Sequence, residues 1–437
     1  MRMTQAGLRW IMGRAACIAL LALAYVAPAA AQLRLDITEG VKDAVPVAVV
    51  PFAGQPEGGA NDVADVVSGD LRLSGRFAPL DRADIVSRPT RASDVRLEDW
   101  RLLKADYVVV GEVGADAGTV RFELINVRTG QQMLAEQLPV AGRPLRAVAH
   151  QVSDLVYERL TGIRGAFGTR LAYVAVEGRA PNRNYRLVVS DADGYNPRTI
   201  AQSAQPMMSP AWSPDGQNLA YVSFEGGVSA VYVQRLSSGD RRRVSARAGV
   251  NGAPAWSPDG SRLALTLSRD GNLDIYVLQL ATQALVRITT DEAIDTEAEW
   301  SPDGRTIYFT SDRAGNAQIY RVSVDDRSDV QRVTYTNSYN ARPRISPDGQ
   351  ALAMVTLDRG YRIAVMDLKA RTLRVLTDGP QDESPSYAPN GAMLVYSTDA
   401  RGARVLGLVS VDGGSIERLA AERGNVREPA WSPFPAR

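Results

Sequence analysis

Four aspartates, Asp215, Asp259, Asp303 and Asp348, recur at a nearly fixed interval in the second half of this 437-residue chain. Carboxylates spaced in this way could collect calcium or share protons in acid–base catalysis. Their neighbours favour another role. Each stands in Ser-Pro-Asp-Gly, where proline presets the second backbone angle, aspartate suits the third position and glycine closes the turn. A turn accounts for these aspartates without an ion. His150 is the only histidine, which excludes a multi-histidine metal centre. Its place in a helical stretch points to packing or a bridge between domains before catalysis. Neither a Gly-x-Ser-x-Gly nucleophile elbow nor a phosphate-cradling glycine loop occurs. No cofactor, metal or catalytic residue is expected.

The turns belong to a larger unit. Ala211-Trp212-Ser213-Pro214-Asp215-Gly216, Ala255-Trp256-Ser257-Pro258-Asp259-Gly260 and Glu299-Trp300-Ser301-Pro302-Asp303-Gly304 are close copies. Arg344–Gly349 and Ser386–Gly391 are weaker ones, and Ala430-Trp431-Ser432-Pro433 ends the series. The second prolines at 214, 258, 302, 347, 389 and 433 are separated by 44, 44, 45, 42 and 44 residues. A period of roughly 40–45 residues is the length of a four-stranded propeller blade. Alternating runs such as Asn218–Val222, Asp274–Leu278 and Leu285–Thr289 supply the strands. Five full units follow Pro206. The incomplete one, from Arg170 to Ile200, lacks an inner strand, while the C-terminus around 428–431 has one to spare. Closing the ring with that terminal strand leaves no open edge. The expected fold is therefore an α/β N-terminal domain followed by an all-β six-bladed β-propeller over 168–437.

Residues 1–31 read as a secretory signal peptide: Arg2, Arg9 and Arg14, an apolar run over 15–26, and small residues before cleavage between Ala31 and Gln32. Removing three of 50 basic residues leaves 47 against 49 acids, a net charge of −2. That balance argues against nucleic acid as a partner. Cys17, the only cysteine, lies at the front of the apolar run, so neither a lipid anchor nor a disulfide is expected. Residues 32–45 form an arm in which Leu33, Leu35 and Ile37 alternate with Arg34, Asp36 and Thr38, as in an edge strand or a detachable strand that adds to a partner's sheet. Residues 46–165 read as the α/β domain. It comprises a buried strand over 47–52, a helix capped by Asn61-Asp62 and running through Leu73, a strand over 105–113, a hairpin around Thr129-Gly130, and a helix over 145–160 ended by Gly162. The short linker from Ile163 to Gly168 implies that the two domains pack together.

This arrangement resembles the TolB family, periplasmic components of the Tol-Pal envelope system. The resemblance spans essentially the whole chain after the leader. It is carried by Leu33-Arg34-Leu35-Asp36-Ile37 ahead of Pro46–Phe52, by Ser74-Gly75-Arg76-Phe77, by Ala149-His150-Gln151-Val152-Ser153-Asp154, and by Leu160-Thr161-Gly162 leading into Thr169–Val174. It implies a non-enzymatic periplasmic adaptor that supports outer-membrane integrity and its constriction at cell division. Such an adaptor is a monomer within a larger envelope complex, without stable membrane insertion. It binds the lipoprotein Pal over one propeller mouth and TolA through the arm at Leu33, Arg34, Leu35, Asp36 and Ile37. The residues expected at the mouth stand just before each inner strand: Asn251 and Ala253, Thr296 and Glu297, Asn340 and Arg342, Glu383 and Ser384, Arg427 and Glu428. Where the family often carries a histidine, this chain has Val250. Two alternatives stay open, a small-ligand-binding propeller and a peptidase-associated propeller, although the latter would need a nucleophile domain in addition.

Overall fold

The computed structural model describes residues 44–437, apart from 180, 401, 414–415, 420–424 and 436–437. The leader, the cleavage position at Ala31 and Gln32 and the arm residues Leu33, Arg34, Leu35, Asp36 and Ile37 lie outside the described residues.

The first part is a five-stranded mixed sheet. Strand β1 (Val45–Val49) runs parallel to β2 (Phe77–Pro79) on one side and β3 (Tyr107–Val113) on the other, and β4 (Thr119–Asn126) and β5 (Gln132–Pro139) continue antiparallel. The run of apolar residues at 47–50 is explained by burial on both faces. Val47 and Val49 join Val109, Phe122 and Leu124 under two helices, whereas Ala48 and Val50 face Trp100 on the other side. The two covering helices are α1 (Val63–Leu73) and α3 (Leu145–Thr161), while the short α2 (Leu97–Leu102) carries Trp100. Asp62 caps α1 by accepting from the amides of Ala64 and Asp65, and Gly162 ends α3 at φ 73°.

The chain then enters six four-stranded antiparallel sheets. Blade one takes its inner strand from the C-terminus, Asn425–Trp431, which pairs with Arg170–Glu177. The closure expected from the unpaired terminal repeat is what forms. Blades two to six follow in order, with inner strands Met207–Trp212, Asn251–Trp256, Asp295–Trp300, Asn340–Ile345 and Glu383–Tyr387.

The repeated motif is the joint between blades. Its tryptophan donates from Nε1 to an inner-strand carbonyl of the preceding blade: Trp212 to Ala430 at 3.0 Å, Trp256 to Ala211 at 3.1 Å and Trp300 to Ala255 at 3.2 Å. Its aspartate stays within the turn. Asp259 Oδ1 accepts from Ser257 Oγ and the Ser261 amide, and these bonds hold its carboxyl down at about 2. Its glycine packs on the previous blade's proline, because a Cβ on Gly304 would already stand 3.5 Å from Pro258. One short motif therefore serves as turn, strut and spacer.

Candidate functional site

Inner strands begin at one face of the ring and end at the other, in the Ser-Pro turns. At the starting face, each of the six breaks register with its neighbour after its first one to three residues. The residue at each bulge is not glycine, yet all six hold left-handed backbones: Ser209, Ala253, Glu297, Arg342, Ser384 and Glu428, with φ between 43° and 57°. Five of them precede proline, a setting that disfavours helical angles of either hand. Such strain persists where surrounding structure over-determines it, and it concentrates at functional sites. Here it turns six side chains toward one axis.

These side chains form a broken ring. Arg342 Nε lies 2.8 Å from Glu297 Oε1, its amide donates to Glu297 Oε2 at 3.1 Å, and its guanidinium also reaches Ser384 Oγ. Thr310 Oγ1 donates to the same Glu297 carboxylate at 3.0 Å. Across the ring, the Ser209 amide donates to Glu428 Oε2 at 2.6 Å. Ala253, between Ser209 and Glu297, contributes no polar group, so the network opens there. Beneath the ring runs a channel of about 440 Å³, walled in part by Trp212 and Trp256, in which Glu299 and Arg344 face one another at 3.6 Å. Burial in the channel pushes the Glu299 carboxyl up, against the pull of Arg344.

An arc of apolar residues flanks this mouth along blades two to five. Among the described residues, the exposed large hydrophobics of the propeller are Tyr195, Val228, Val250, Val286, Ile294, Tyr335, Leu357 and Tyr361. All but Tyr195 and Val286 lie in loops or strand ends on the mouth face. Tyr335 and Val228 are each 63% exposed. The mouth face thus carries most of the propeller's exposed apolar side chains among the described residues.

The structure sorts the residues expected at the mouth. They lie within the first half of the inner strands, not before them, because the bulges let pairing extend up to the loops. Ala253, Thr296, Glu297, Arg342, Glu383, Arg427 and Glu428 are part-exposed there, and Ser384 is buried beneath Arg342. Asn251 and Asn340 need correction, since both are fully buried. Asn251 Oδ1 accepts from Ser245 Oγ and the Arg247 amide, and Asn340 Nδ2 donates to the Thr336 carbonyl and to Gln318 Oε1. They pin the mouth loops and are unavailable to a partner. Ser209, Glu299 and Arg344 were missed. Ser209-Pro210 matches Ala253-Pro254 one repeat earlier, so strict alignment of the repeats could have found it.

The α/β domain sits at the opposite face. Asn390, in a Ser-Pro-type turn, donates to the Arg164 carbonyl at 2.9 Å, and Arg76 meets Asp412 at 3.4 Å. Asp193, in the turn after Asn184–Asp191, accepts from Arg146 of α3. His150 Nδ1 lies 2.8 Å from Asp70 of α1. The histidine thus sits at the domain interface, one of the two roles expected for it.

Comparison with known proteins agrees with this geometry. A family model described as the TolB beta propeller domain matches residues 157–435, and one described as the TolB amino-terminal domain matches 33–133. A "Tol-Pal system protein TolB" of Xanthomonas campestris pv. campestris (strain B100) is 54% identical over 410 residues, covering 92% of this chain and 93% of the relative. One from Xanthomonas oryzae pv. oryzae (strain MAFF 311018) is 52% identical over 436 residues, covering 98% of each. The crystal structure of TolB from Acinetobacter baumannii superposes with a TM-score of 0.84 at 39% identity, covering 92% of this chain and all of that one.

Proposed function

This chain belongs to the TolB family of the Tol-Pal system, and from that premise we propose that it is a non-catalytic periplasmic adaptor which captures the lipoprotein Pal over the propeller mouth and TolA through the arm at residues 33–37. The observation that carries the reading is the mouth itself: six strained residues converging on a polar ring, flanked along blades two to five by apolar loop tips, on the face away from the α/β domain. A partner seated there would bury that apolar arc and meet Thr296, Glu297, Arg342 and Glu428 at the centre of the mouth, the arrangement of a hot spot beside an apolar border. Nothing in that role requires a nucleophile or an ion. No helix among the described residues is long and apolar enough to cross a membrane, and the leader accounts for export. Bridging a lipoprotein of the outer membrane to a protein of the inner one would support envelope integrity and constriction at division.

The test is capture of soluble Pal by the chain from residue 32 onward. Thr296→Ala with Glu297→Ala should weaken capture at least about tenfold, the scale of truncating a hot-spot pair, with circular dichroism unchanged. Deleting 32–43 should abolish TolA binding. If the arm also occupies a docked position, Pal and TolA must influence each other through it, and unchanged affinities for both after the deletion would remove that coupling. Failure of the intact chain to capture Pal would return the mouth to the small-ligand reading, with the charged channel as its site.

A further inference from the structure

The domain joint contains a buried ionisable group that partner capture at the mouth leaves unused. His150 is 3% exposed. Its Nδ1 faces Asp70 at 2.8 Å, and its Nε2, lacking any hydrogen-bond partner, points toward Asp193 Oδ2 of the propeller at 4.0 Å. We propose that His150 is a proton-operated latch between the α/β domain and the propeller: carrying both ring protons it joins Asp70 of its own domain to Asp193 of the other, and losing one it loosens the joint.

The placement of two carboxylates about the ring favours the second proton. With Nδ1–H given to Asp70, a neutral ring turns the Nε2 lone pair toward the Asp193 carboxylate across a buried gap, whereas a doubly protonated ring presents a positive charge to it at ion-pair distance. The other groups around the ring are few. From α3, Arg146 donates to Asp193 and to the Ala60 carbonyl at 2.5 Å and stacks over Tyr195 at 4.1 Å. Also from α3, Asp154 accepts from the amides of Phe167 and Gly168 at 2.7 and 3.3 Å. From the end of the propeller strand Asn184–Asp191, Asp191 lies 3.9 Å from Arg146 Nε. The Arg146 contacts tether the domains, and the histidine sets how tightly.

Asp70, His150 and Asp193 bring their ligand atoms within 4.8 Å of one another, but a metal fits them poorly. Asp70 occupies one ring nitrogen, and Arg146 already holds the carboxylate that would complete the site. Burial alone would lower the His150 pKa, and Asp70 together with Asp193 outweighs it, so the ring holds its proton above the ordinary range. Burial likewise raises Asp70, as for a pair sharing one proton. A raised histidine value means that the contact is complete below the unfolded value of about 6.5 and is lost as pH rises through the folded one.

The test uses the chain from residue 32, which has one histidine and no cysteine. A single imidazole resonance then reports the titration. Spin labels at Leu102→Cys and Val286→Cys, on exposed positions of the two domains, report their separation. The expected result is a midpoint above that of free histidine, with the distance distribution broadening across the same midpoint. One pH unit of displacement corresponds to about a tenfold change in the open population. His150→Gln should be broad at every pH, Asp193→Asn should lose the pH response, and Asp154→Asn should keep it. A distribution unmoved between about pH 5.5 and 9, a response that vanishes with Asp154→Asn, or narrowing at alkaline pH on adding zinc would each overturn the latch. Should His150→Gln fail to fold, Asp193→Asn decides alone, because that turn is part-exposed.

Discussion

Ala253 holds φ 43° ahead of Pro254, and unlike the other ring members it makes no side-chain bond that would offset the strain. A left-handed non-glycine residue costs about 1–2 kcal/mol, against which glycine forfeits about 0.5–1 kcal/mol of chain entropy. Ala253→Gly should therefore stabilise the protein by about 0.5–1 kcal/mol, read as a higher urea midpoint at unchanged slope. A lower midpoint would mean that the bulge is not strained. The same substitution at Glu297 should behave oppositely, since it also removes the acceptor shared by the Arg342 amide, its guanidinium and Thr310. Strain at the mouth is tolerated because the ring's bonds and the pinned loops hold it in place.

At the level of the element, each blade depends on its neighbour through the tryptophan of the repeat. Trp300→Phe keeps an aromatic ring, though a smaller one, and leaves the buried Ala255 carbonyl without the indole donor. The expected loss is about 1–3 kcal/mol, and a thermal melt within about 1 °C of the parent would count against a strut role. The linker makes a parallel case. A Cβ on Gly165 would lie 2.3 Å from Asp154 Cα, backbone against backbone with nothing to swing aside. Gly165→Ala must push α3 away from the linker. It should cost about 1–3 kcal/mol, as overpacking does, and should lower the melting midpoint without altering the spectrum of the blades.

For the molecule as a whole, the joint makes stability depend on pH. Burial raises Asp154 to about 7, although two backbone amides donate to it. Its folded value thus exceeds the unfolded one of about 3.9. The folded state then binds the proton more tightly, so this contribution is complete below about pH 4 and is lost as pH rises through about 7. Asp70 is raised in the same direction. Denaturant stability measured from about pH 5 to 8 should fall, and Asp154→Asn should flatten the fall. A rise over that window would mean that the hydrogen bonds to Asp154 outweigh its burial.

Much of this was legible in the residues. The recurrence of Trp-Ser-Pro-Asp-Gly, the missing strand before Arg170 and the spare one at Trp431 determined six blades and their closure, because turn chemistry and strand period are local properties. Asp62 and Gly162 marked helix ends for the same reason. What only the tertiary structure decided is where side chains from different repeats meet. The left-handed bulges, the burial of Asn251 and Asn340, the gap at Ala253 and the meeting of His150 with Asp193 across the domain joint all depend on contacts between residues far apart in the chain. Burial and charge at such contacts are set by which surfaces close on one another, and a linear pattern carries no record of that.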